Sequence, residues 1–544
     1  QRVTRQLLNA CRGLEHSCST QDLTQETLQK LYDGIRTDEI DNAMICAAKA
    51  RIDRDPAYSC VARRLLLKKI QREVLLEGEP NGDMVGRHRG LFPAYLAKGV
   101  EGRRLHPELL RFDRERIAAA LHLERDELLS FGGLQILFDH YLLRQGERLW
   151  ETPQYFWMRV AMGLALNETN DREARAVEFY EILSTLRFIP STATLLNAGT
   201  PRPQLGSGFL STVKDDLEHI FKVISDDAKI SRRAGGVGND WTNLRATGSL
   251  IQSTNGESQG LIPFLKVAND TLAAVQQGSR RPGAMCASLE IWHLDIGDFL
   301  ELRNSAGDSR RRTPDLHTAN WIPDLFMKRV SEQGPWTLFS PCDVPDLHEL
   351  YGAAFEKRYW EYEQMADRGE IKRFMRVEAV QLWRKMLTSL FETGHPWITF
   401  KDPPNVRSMQ NHTGVIHGSS PGAETFLNSS PDETAVCPLG SVNLPAHWVG
   451  FGLDEPLLGQ SIATAMRMLD NALDVGFYPT PEAQRAALKH RAVGLGLMGF
   501  QDVLFKLRIP YASAAAVEFA DQNMELISYH AILASVRLAR ERGA

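Results

Sequence analysis

The sequence predicts an α/β protein in which a helical N-terminal region precedes a domain with parallel strands. Apolar residues recur at helical spacing over residues 1–80 and again over 106–187. From residue 188, short apolar runs alternate with amphipathic helical runs, which is typical of parallel βαβ units. The length of 544 residues suits two or three domains.

The composition is that of a globular protein with a large core. Apolar residues make up 43% of the chain, charged residues 24%, and the net charge is −5. This charge gives no attraction for nucleic acid or an anionic membrane. No apolar run is long enough to span a membrane, and the N-terminus carries no secretory signal. We therefore expect a cytoplasmic protein that binds neither nucleic acid nor a membrane.

The cysteines predict neither a disulfide framework nor a structural zinc site. Their number is odd and no CxxC pair occurs, so we expect no metal site and a reducing compartment. The seven are Cys11, Cys18, Cys46, Cys60, Cys286, Cys342 and Cys437.

The helical region contains one predicted interruption. Residues 81–105 are rich in Gly, Pro and charge, which predicts a linker or a surface loop. The stretch RLWETPQYFWMRVAMGLAL within 106–187 predicts a buried helix, because its aromatic residues follow helical spacing.

The second half contains the predicted strands and one clear amphipathic helix. The runs RFIPS, SGFLSTV, AMCASLEIWHL, GPWTLFS and HPWITF predict strands. The stretch DDLEHIFKVISDDAKIS predicts a helix with one apolar face. That face comprises Leu217, Ile220, Phe221, Ile224 and Ala228. The sequence ends within a helical pattern, SVRLARERGA, so we expect a piece of a longer protein.

Two glycine motifs allow alternative interpretations. GLGLMG at 494–499 fits a dinucleotide fingerprint, but the charged residues before it favour a tight strand-to-helix turn. RRAGGVGND at 232–240 is either a helix stop or a backbone cradle for phosphate. A second basic loop, QQGSRRPGAM, supports an anion site that involves Arg245, Arg280 and Arg281.

The remaining candidate residues favour structural roles. His293 follows an apolar run, which predicts a hydrogen-bonded core histidine. Residues 310–312, three arginines, predict a solvated surface. Metalloprotease and serine hydrolase motifs with suitable flanks are absent from the sequence.

Several long stretches resemble the catalytic α subunit of class I ribonucleotide reductase, in its bacterial form. They are PSTATLLNAGTPRPQ, RRAGGVGNDWTNLRATGS, GSRRPGAMCASLEIWHLDIGDFLELR, TANWIPDLFMKRV and DETAVCPLGSVNL. The resemblance implies a ten-stranded α/β barrel, incomplete at the C-terminus, after an α-helical region. It implies a remnant of the family's ATP cone at 1–75, a helical domain at 76–187 and the barrel at 188–544. Because the cone's start is missing from the sequence, we expect no overall-activity control by ATP and dATP.

The resemblance also implies two nucleotide sites. Asp215 matches the acid that holds the sugar of a deoxynucleotide effector, and Arg245 matches a phosphate-side arginine. The loop at 278–283 resembles the segment that relays effector identity, and it contains Ser279, Arg280 and Arg281. The matches to substrate contacts are Thr192, Ser207 and the backbone near Gly236.

The catalytic positions of the family are only partly kept. Glu424 matches the glutamate that handles a proton of the ribose 3′-hydroxyl, and Cys437 matches one of two reducing cysteines. Gly208 stands at the position of the other reducing cysteine. Gly422 replaces the cysteine that carries the thiyl radical, and Ser420 replaces an asparagine. Loss of reacting groups predicts impaired turnover, because glycine supplies no sulfur.

The family implies no cofactor on this chain and several partners. Its substrate is a ribonucleoside diphosphate, its effectors are deoxynucleotides or ATP, and its radical cofactor resides on a separate small β subunit. Thioredoxin or glutaredoxin and a second copy of the chain complete the expected partners. Three alternatives remain: a reductase subunit, a nucleotide-binding regulatory or scaffold pseudoenzyme, and an interrupted gene near 418–426.

Overall fold

The computed structural model describes residues 2–75, 83–275, 283–450 and 452–543. Its helices are α1 Arg2–Cys11, α2 Thr20–Gln29, α3 Thr37–Lys49, α4 Ala57–Leu75, α5 Met84–Glu101, α6 Arg114–Ala119, α7 Phe131–Ile136, α8 Pro153–Leu164, α9 Arg172–Ser184, α10 Thr192–Asn197, α11 Leu217–Ser231, α12 Ile262–Val275, α13 Ile296–Phe299, α14 Asp324–Ser331, α15 Gly352–Asp367, α16 Ala379–Thr393, α17 Asp402–Arg407, α18 Glu455–Val475, α19 Pro481–His490, α20 Phe500–Leu507 and α21 Ala514–Arg542.

The strands are β1 Arg144–Gln145, β2 Arg148–Leu149, β3 Phe188–Pro190, β4 Gly208–Thr212, β5 Gly236–Asp240, β6 Leu250–Ile251, β7 Gly256–Glu257, β8 Ala284–Glu290, β9 His317–Ile322, β10 Pro335–Phe339, β11 Phe374–Glu378, β12 Trp397–Phe400, β13 Ala435–Cys437, β14 Leu439–Asn443, β15 Trp448–Val449, β16 Gly452–Leu453 and β17 Gly494–Met498. All five predicted strand runs are confirmed, as β3, β4, β8, β10 and β12.

The chain divides into two compact units. The first, mainly helical, comprises Gln1–Pro203, Gly440–Val475 and Leu495–Ala544, and the second comprises Gln204–Leu439 and Gly476–Gly494. In the first unit, α8 is buried along its whole length, as the aromatic pattern predicts. None of the described helices is long and apolar enough to cross a membrane.

A six-stranded sheet with the order β12-β9-β8-β5-β4-β13 forms the centre of the second unit. The pairs from β12 to β4 are all parallel, which confirms the predicted βαβ pattern. β13 is antiparallel to β4 and is the last strand of the sheet on that side. Because carboxyl ends of parallel strands meet at one edge, polar residues that end β5 and β8 come together there.

The helix α11 packs on this sheet with a face that differs from the predicted one. Ile220 and Ile224 are buried as predicted, and the hydroxyl and carboxyl side chains of Ser231 and Asp227 join them. Leu217 and Phe221 are instead 61% and 48% exposed. The apolar stripe of α11 is therefore wider than the surface it covers within this chain.

The prediction of a linker or loop over 81–105 is wrong for the part that the structure describes. Residues 84–101 form α5, despite Pro93 in the helix. Phe92, Tyr95 and Leu96 are buried on its inner face, and the ring of Phe92 lies 5.2 Å from that of Tyr155. Burial of this aromatic face outweighs the weak helix propensity of the glycines.

The glycine motifs serve backbone packing. Residues 494–498 form β17 itself, so the dinucleotide-fingerprint interpretation is wrong, and the predicted turn lies at Gly499, which has φ of +76° before α20. In the 232–240 motif, the amide of Gly235 donates to Ile230 O and that of Gly236 donates to Ser207 O. These amides are engaged by carbonyls, which favours the helix stop over the phosphate cradle.

Candidate functional site

A loop at 417–425 lies against one face of the central sheet, and glycines on that face let it approach closely. A Cβ atom placed on Gly238 would overlap the carbonyl oxygen of Ser419. A Cβ on Gly236 would lie 3.3 Å from Cγ of Pro421. The backbone of Ser419 and the ring of Pro421 thus occupy the space that side chains on β5 would otherwise fill.

The loop is closed by its own hydrogen bonds. The amide of Ala423 donates to Ser420 O at 2.8 Å, and the amide of Ser420 donates to Thr425 O at 3.3 Å. Ala423 has φ of +56°, the left-handed conformation that such a tight turn requires. The turn directs Ser420 and Thr425 towards Gly208 on β4. A Cβ atom placed on Gly208 would lie 3.4 Å from Thr425 Oγ1 and 3.5 Å from Ser420 Cβ.

Cys437 is the thiol of this site. It is the direct antiparallel partner of Gly208, and its Sγ lies 3.8 Å from Thr425 Oγ1. Burial raises the pKa of Cys437 to about 12, and the Glu424 carboxylate acts in the same direction against the Thr425 hydrogen bond. The sulfur therefore keeps its hydrogen at neutral pH.

Glu424 extends from the exposed side of the turn. Its carboxylate folds back over Gly422, so that a Cβ placed on Gly422 would overlap it. The side chain is exposed, in contrast to Cys437 and Thr425. The structure thus brings Glu424, Gly422, Ser420, Gly208 and Cys437 together around one turn.

A second thiol in this unit, Cys286, lies outside the strand pair that carries Gly208 and Cys437. It is on β8, two strands from β4, and pairs with Gly238 on β5. At about 4.8 Å per strand spacing, roughly 10 Å separate it from β4. The remaining cysteine of the unit, Cys342, is exposed and lies 3.1 Å from Ser340 Oγ.

A buried ionic cluster at the carboxyl ends of β5 and β8 was missed by the sequence analysis. His348 Nε2 lies 2.7 Å from Asp240 Oδ2, and its Nδ1 lies 2.5 Å from Glu290 Oε1. Lys401 Nζ donates to Glu290 Oε1 at 2.6 Å. All four side chains are 3% exposed or less. Two carboxylates thus balance an imidazolium and an ammonium.

The charges of this cluster set each other's pKa values. Burial opposes charge on His348, but Asp240 and Glu290 outweigh it and raise the pKa of His348 to about 9. Burial would raise the pKa of Asp240, but His348 lowers it to about 2. Burial would likewise raise the pKa of Glu290, but Lys401 and His348 together outweigh it and lower that pKa. The cluster is charged across the neutral range.

His417, at the start of the loop, stacks on His348 with ring centroids 4.0 Å apart. Its Nε2 lies 3.3 Å from Glu349 Oε2. Burial and the charge of His348 lower the pKa of His417, so it is neutral beside a charged neighbour. The loop is therefore anchored to the ionic cluster at its first residue.

The predicted effector residues form an ion pair. Arg245 Nε donates to Asp215 Oδ2 at 2.8 Å, and Arg245 Nη1 donates to Leu250 O. Both side chains are 28–29% exposed, so a ligand can reach them. Ser279, Arg280 and Arg281 lie outside the described residues.

The predicted substrate residues lie in both units. Ser207 and Gly236 flank Gly208 in the second unit, and within the described residues Ser207 Oγ is buried without a hydrogen-bond partner. Thr192 is the first residue of α10 in the first unit, where its hydroxyl lies 3.1 Å from the hydroxyl of Tyr141.

Comparison with protein families identifies the family of this chain. Residues 206–544 match "Ribonucleotide reductase, barrel domain" and residues 127–203 match "Ribonucleotide reductase, all-alpha domain". The chain belongs to the ribonucleotide reductase large-subunit family. The two matches confirm the predicted fold class, an α/β barrel domain preceded by a helical domain.

Named relatives extend the similarity over nearly the whole chain. The chain is 54% identical to the ribonucleoside-diphosphate reductase subunit alpha of Chlamydia pneumoniae, over 98% of this chain and 51% of that protein. It is 35% identical to the corresponding subunit of Helicobacter pylori strain J99, over 100% of this chain and 74% of that protein. The chain spans about half the length of the chlamydial relatives that it matches.

The ionic cluster of this ribonucleotide reductase homologue could be predicted only in part from the sequence. Asp240 and Glu290 end parallel strands, a position that favours functional side chains. His348 and Lys401 follow much later in the chain, and no spacing links them to those strands. His293, by contrast, is confirmed as a core histidine, with Nε2 2.8 Å from Leu244 O.

Proposed function

We propose that this chain is a nucleotide-binding homologue of the ribonucleoside-diphosphate reductase large subunit in which ribose reduction is impaired. The reaction of the family turns ribonucleotides into deoxyribonucleotides for DNA synthesis. The observation that carries the proposal is Gly208 opposite Cys437, with Gly422 at the nearby turn. The similarity to reductase subunits supports the binding function, and the two glycines support the impairment.

The chemistry of the site explains the impairment. Reduction of the ribose starts when a thiyl radical takes the hydrogen from C3′, and Gly422 offers no sulfur for this step. Two thiols then supply two electrons as the 2′-hydroxyl leaves as water. Cys437 can give one of them, but Gly208 leaves it without a partner thiol. Glu424 remains placed to accept a proton, and a proton acceptor alone cannot replace the two sulfur atoms.

Nucleotide binding is supported by groups that the glycines do not affect. Ser207 Oγ is buried beside Gly208 without a partner among the described residues, and it is free to bind a ribose or phosphate oxygen. The pair of Asp215 and Arg245 offers an acceptor for a sugar hydroxyl and a donor for a phosphate. We assign the first group to the ribonucleoside diphosphate, together with Gly236, and the second to a deoxynucleotide effector, together with Ser279, Arg280 and Arg281.

The exposed apolar residues of α11 and α12 support a homodimer. Leu217, Phe221 and Val267 are 61%, 48% and 38% exposed, and the rings of Phe221 and Phe264 lie 6.3 Å apart. A second copy would cover this patch, beside the effector residues. The other proposed partners are a radical-bearing small β subunit and thioredoxin or glutaredoxin, in the cytoplasm. We assign residues 1–75 to a remnant of the ATP cone.

Activity and binding assays test this proposal. The chain is incubated with a radical-bearing small subunit, a ribonucleoside diphosphate, a deoxynucleotide effector and dithiothreitol, and deoxynucleotide is measured. We expect a rate at least about 10⁴-fold below that of the Chlamydia pneumoniae subunit. Calorimetry with effector and substrate should still detect saturable binding.

A shortened relative distinguishes the effect of chain length on turnover from the effect of glycine at the two positions. The Chlamydia pneumoniae subunit, cut to the 535 residues that match this chain, is the control. Placing glycine at the two positions of that subunit that align with Gly208 and Gly422 should abolish any remaining turnover without loss of effector binding. Turnover by the present chain would refute the impairment, and absence of all nucleotide binding would favour a scaffold role instead.

A further inference from the structure

Three buried side chains converge at the ionic cluster with donor atoms suited to a metal ion. Asp240, His348 and His417 each offer one donor atom, and these atoms all lie within 4.8 Å of one another. The three residues are 3% exposed or less. Side chains of this kind that gather in the interior require partners for their polar atoms.

Each imidazole is oriented by a carboxylate on its far nitrogen. Glu290 Oε1 lies 2.5 Å from His348 Nδ1, and Glu349 Oε2 lies 3.3 Å from His417 Nε2. The other nitrogen of His348, Nε2, is directed at Asp240. The other nitrogen of His417, Nδ1, is available for a further ligand. A carboxylate behind a histidine is the arrangement that fixes metal-binding imidazoles and raises their basicity.

His417 Nδ1 provides an independent observation. It is buried, and among the described residues it has no hydrogen-bond partner. An unpaired buried nitrogen of this kind destabilises the fold unless a ligand pairs with it. Asp240 is also preset, because the amide of Thr242 donates to its Oδ1 at 3.1 Å and holds Oδ2 towards His348.

We propose that Asp240, His348 and His417 bind a divalent transition-metal ion, for which Zn²⁺ is the best match. Two neutral imidazoles and one carboxylate are a donor set that Zn²⁺ accepts in a four-coordinate site with one open position. The ion would take the place of the proton between His348 Nε2 and Asp240 Oδ2. The sequence predicted no metal site. These three ligands come from distant segments, so no short spacing motif connects them.

The charges near the site suit a dication. Asp240, Glu290 and Glu349 supply three carboxylates, and Lys401 supplies one ammonium within this group. With both imidazoles neutral, the net charge of these groups is −2, which a divalent ion balances. The ion would tie the first residue of the 417–425 loop to the ends of β5 and β8, and so hold the turn that carries Glu424.

Zn²⁺ titration of the 544-residue chain tests the proposal. Metal-free protein under a non-thiol reductant competes with a chromogenic chelator for Zn²⁺. We expect one tight equivalent, and His417→Gln should weaken binding by at least about tenfold. The matched control is His395→Gln, because His395 belongs to another histidine pair, 2.9 Å from His317, and should leave the affinity unchanged.

Further readouts keep the test decisive. Circular dichroism establishes that each variant folds; if His417→Gln does not, Glu349→Gln replaces it, with an expected loss of about 10–100-fold. Co²⁺ in place of Zn²⁺ should give tetrahedral d–d bands without a thiolate charge-transfer band. A thiolate band, the lack of a tight equivalent, or undiminished affinity in the variant would overturn the proposal.

Discussion

Gly208 and Cys437 are direct partners across the antiparallel pair of β4 and β13. Such partners have Cα atoms about 4.5–5.5 Å apart, inside the range that a disulfide spans. A Cβ atom on Gly208 would meet its nearest neighbour, Thr425 Oγ1, at an ordinary 3.4 Å. The backbone at these two positions therefore has a spacing that would suit two thiols.

Gly208→Cys should form a disulfide with Cys437 under mild oxidation, because the two side chains project from directly opposed positions. Thiol titration of the denatured protein should find two fewer free thiols than after reduction. Leu210→Cys is the control, since its partner on β13 is Ala435. Equal thiol counts before and after reduction of the Gly208 variant would contradict the prediction.

Substitution by alanine should distinguish Gly238 from Gly422. At Gly238 the new methyl group meets the backbone of Ser419, which cannot move alone, so we expect a loss of about 1–3 kcal/mol in the free energy of unfolding. At Gly422 the obstacle is the exposed, flexible Glu424 carboxylate, and the loss should stay below about 0.5 kcal/mol. Urea denaturation measures both, and equal losses would argue against the close approach of the loop.

Sequence periodicity predicted the strands of the sheet correctly. It gave wrong predictions for segments whose structure depends on tertiary packing. The strand runs are local patterns, so β4, β8, β10 and β12 lie where the sequence placed them. The segment 84–101 contains glycines and a proline, and only burial of Phe92, Tyr95 and Leu96 makes it a helix. The face of α11 was misjudged for a related reason, since the pattern shows which residues are apolar and not what covers them.

The sequence predicted only those residues of the candidate site that lie within the family motifs. Ser420, Gly422 and Glu424 lie in one loop, and Gly208 and Cys437 face each other in one strand pair, so their proximity follows from these two local features. The ionic cluster joins residues from Asp240 to Lys401, which are far apart in the sequence. Such long-range convergence has no periodicity, so sequence alone did not reveal it.

Arg245→Met should weaken binding of a deoxynucleoside triphosphate effector by about tenfold or more, because a charged donor to phosphate is lost. Calorimetry with dTTP measures the dissociation constant. Arg311→Met is the control, since Arg311 pairs with Asp298 on the surface. An unchanged dissociation constant for the Arg245 variant would remove the pair with Asp215 from the proposed effector site.

Asp227 should make the protein less stable as the pH rises. Burial raises the pKa of this carboxyl to about 8, against the opposing hydrogen bond from Asn239. In the unfolded chain the pKa is about 3.9, so the folded state holds one more proton between these values. The free energy of unfolding should fall by about 1.4 kcal/mol per pH unit from this group, between pH about 4 and 8.

Asp227→Asn should abolish that contribution, because the amide does not titrate. Urea denaturation between pH 5 and 8 gives the slope for each protein, and Glu218→Gln on the exposed side of α11 is the control. A slope that is the same in wild type and in the Asp227 variant would show that this carboxyl is ionised in the folded protein.

The buried pair of Arg159 and Glu151 should dominate the stability of the first unit. Arg159 Nε donates to Glu151 Oε1 at 2.7 Å, both side chains are fully buried, and Arg159 Nη1 also donates to Ala198 O. Arg159→Met leaves the Glu151 carboxylate buried without its cation, so we expect a loss of about 3–5 kcal/mol in the free energy of unfolding.

A double-mutant cycle isolates this pair, because a charge is costly only while it is unpaired. Arg159→Met combined with Glu151→Leu should cost less than the sum of the single substitutions, by at least about 1 kcal/mol. Arg310→Met, which removes a surface partner of Asp308, should leave the denaturation curve unchanged. Strict additivity of the two core substitutions would mean that the hydrogen bonds from Arg159 to Ala198 O and from the amide of Leu143 to Glu151, rather than the ion pair, carry the stability.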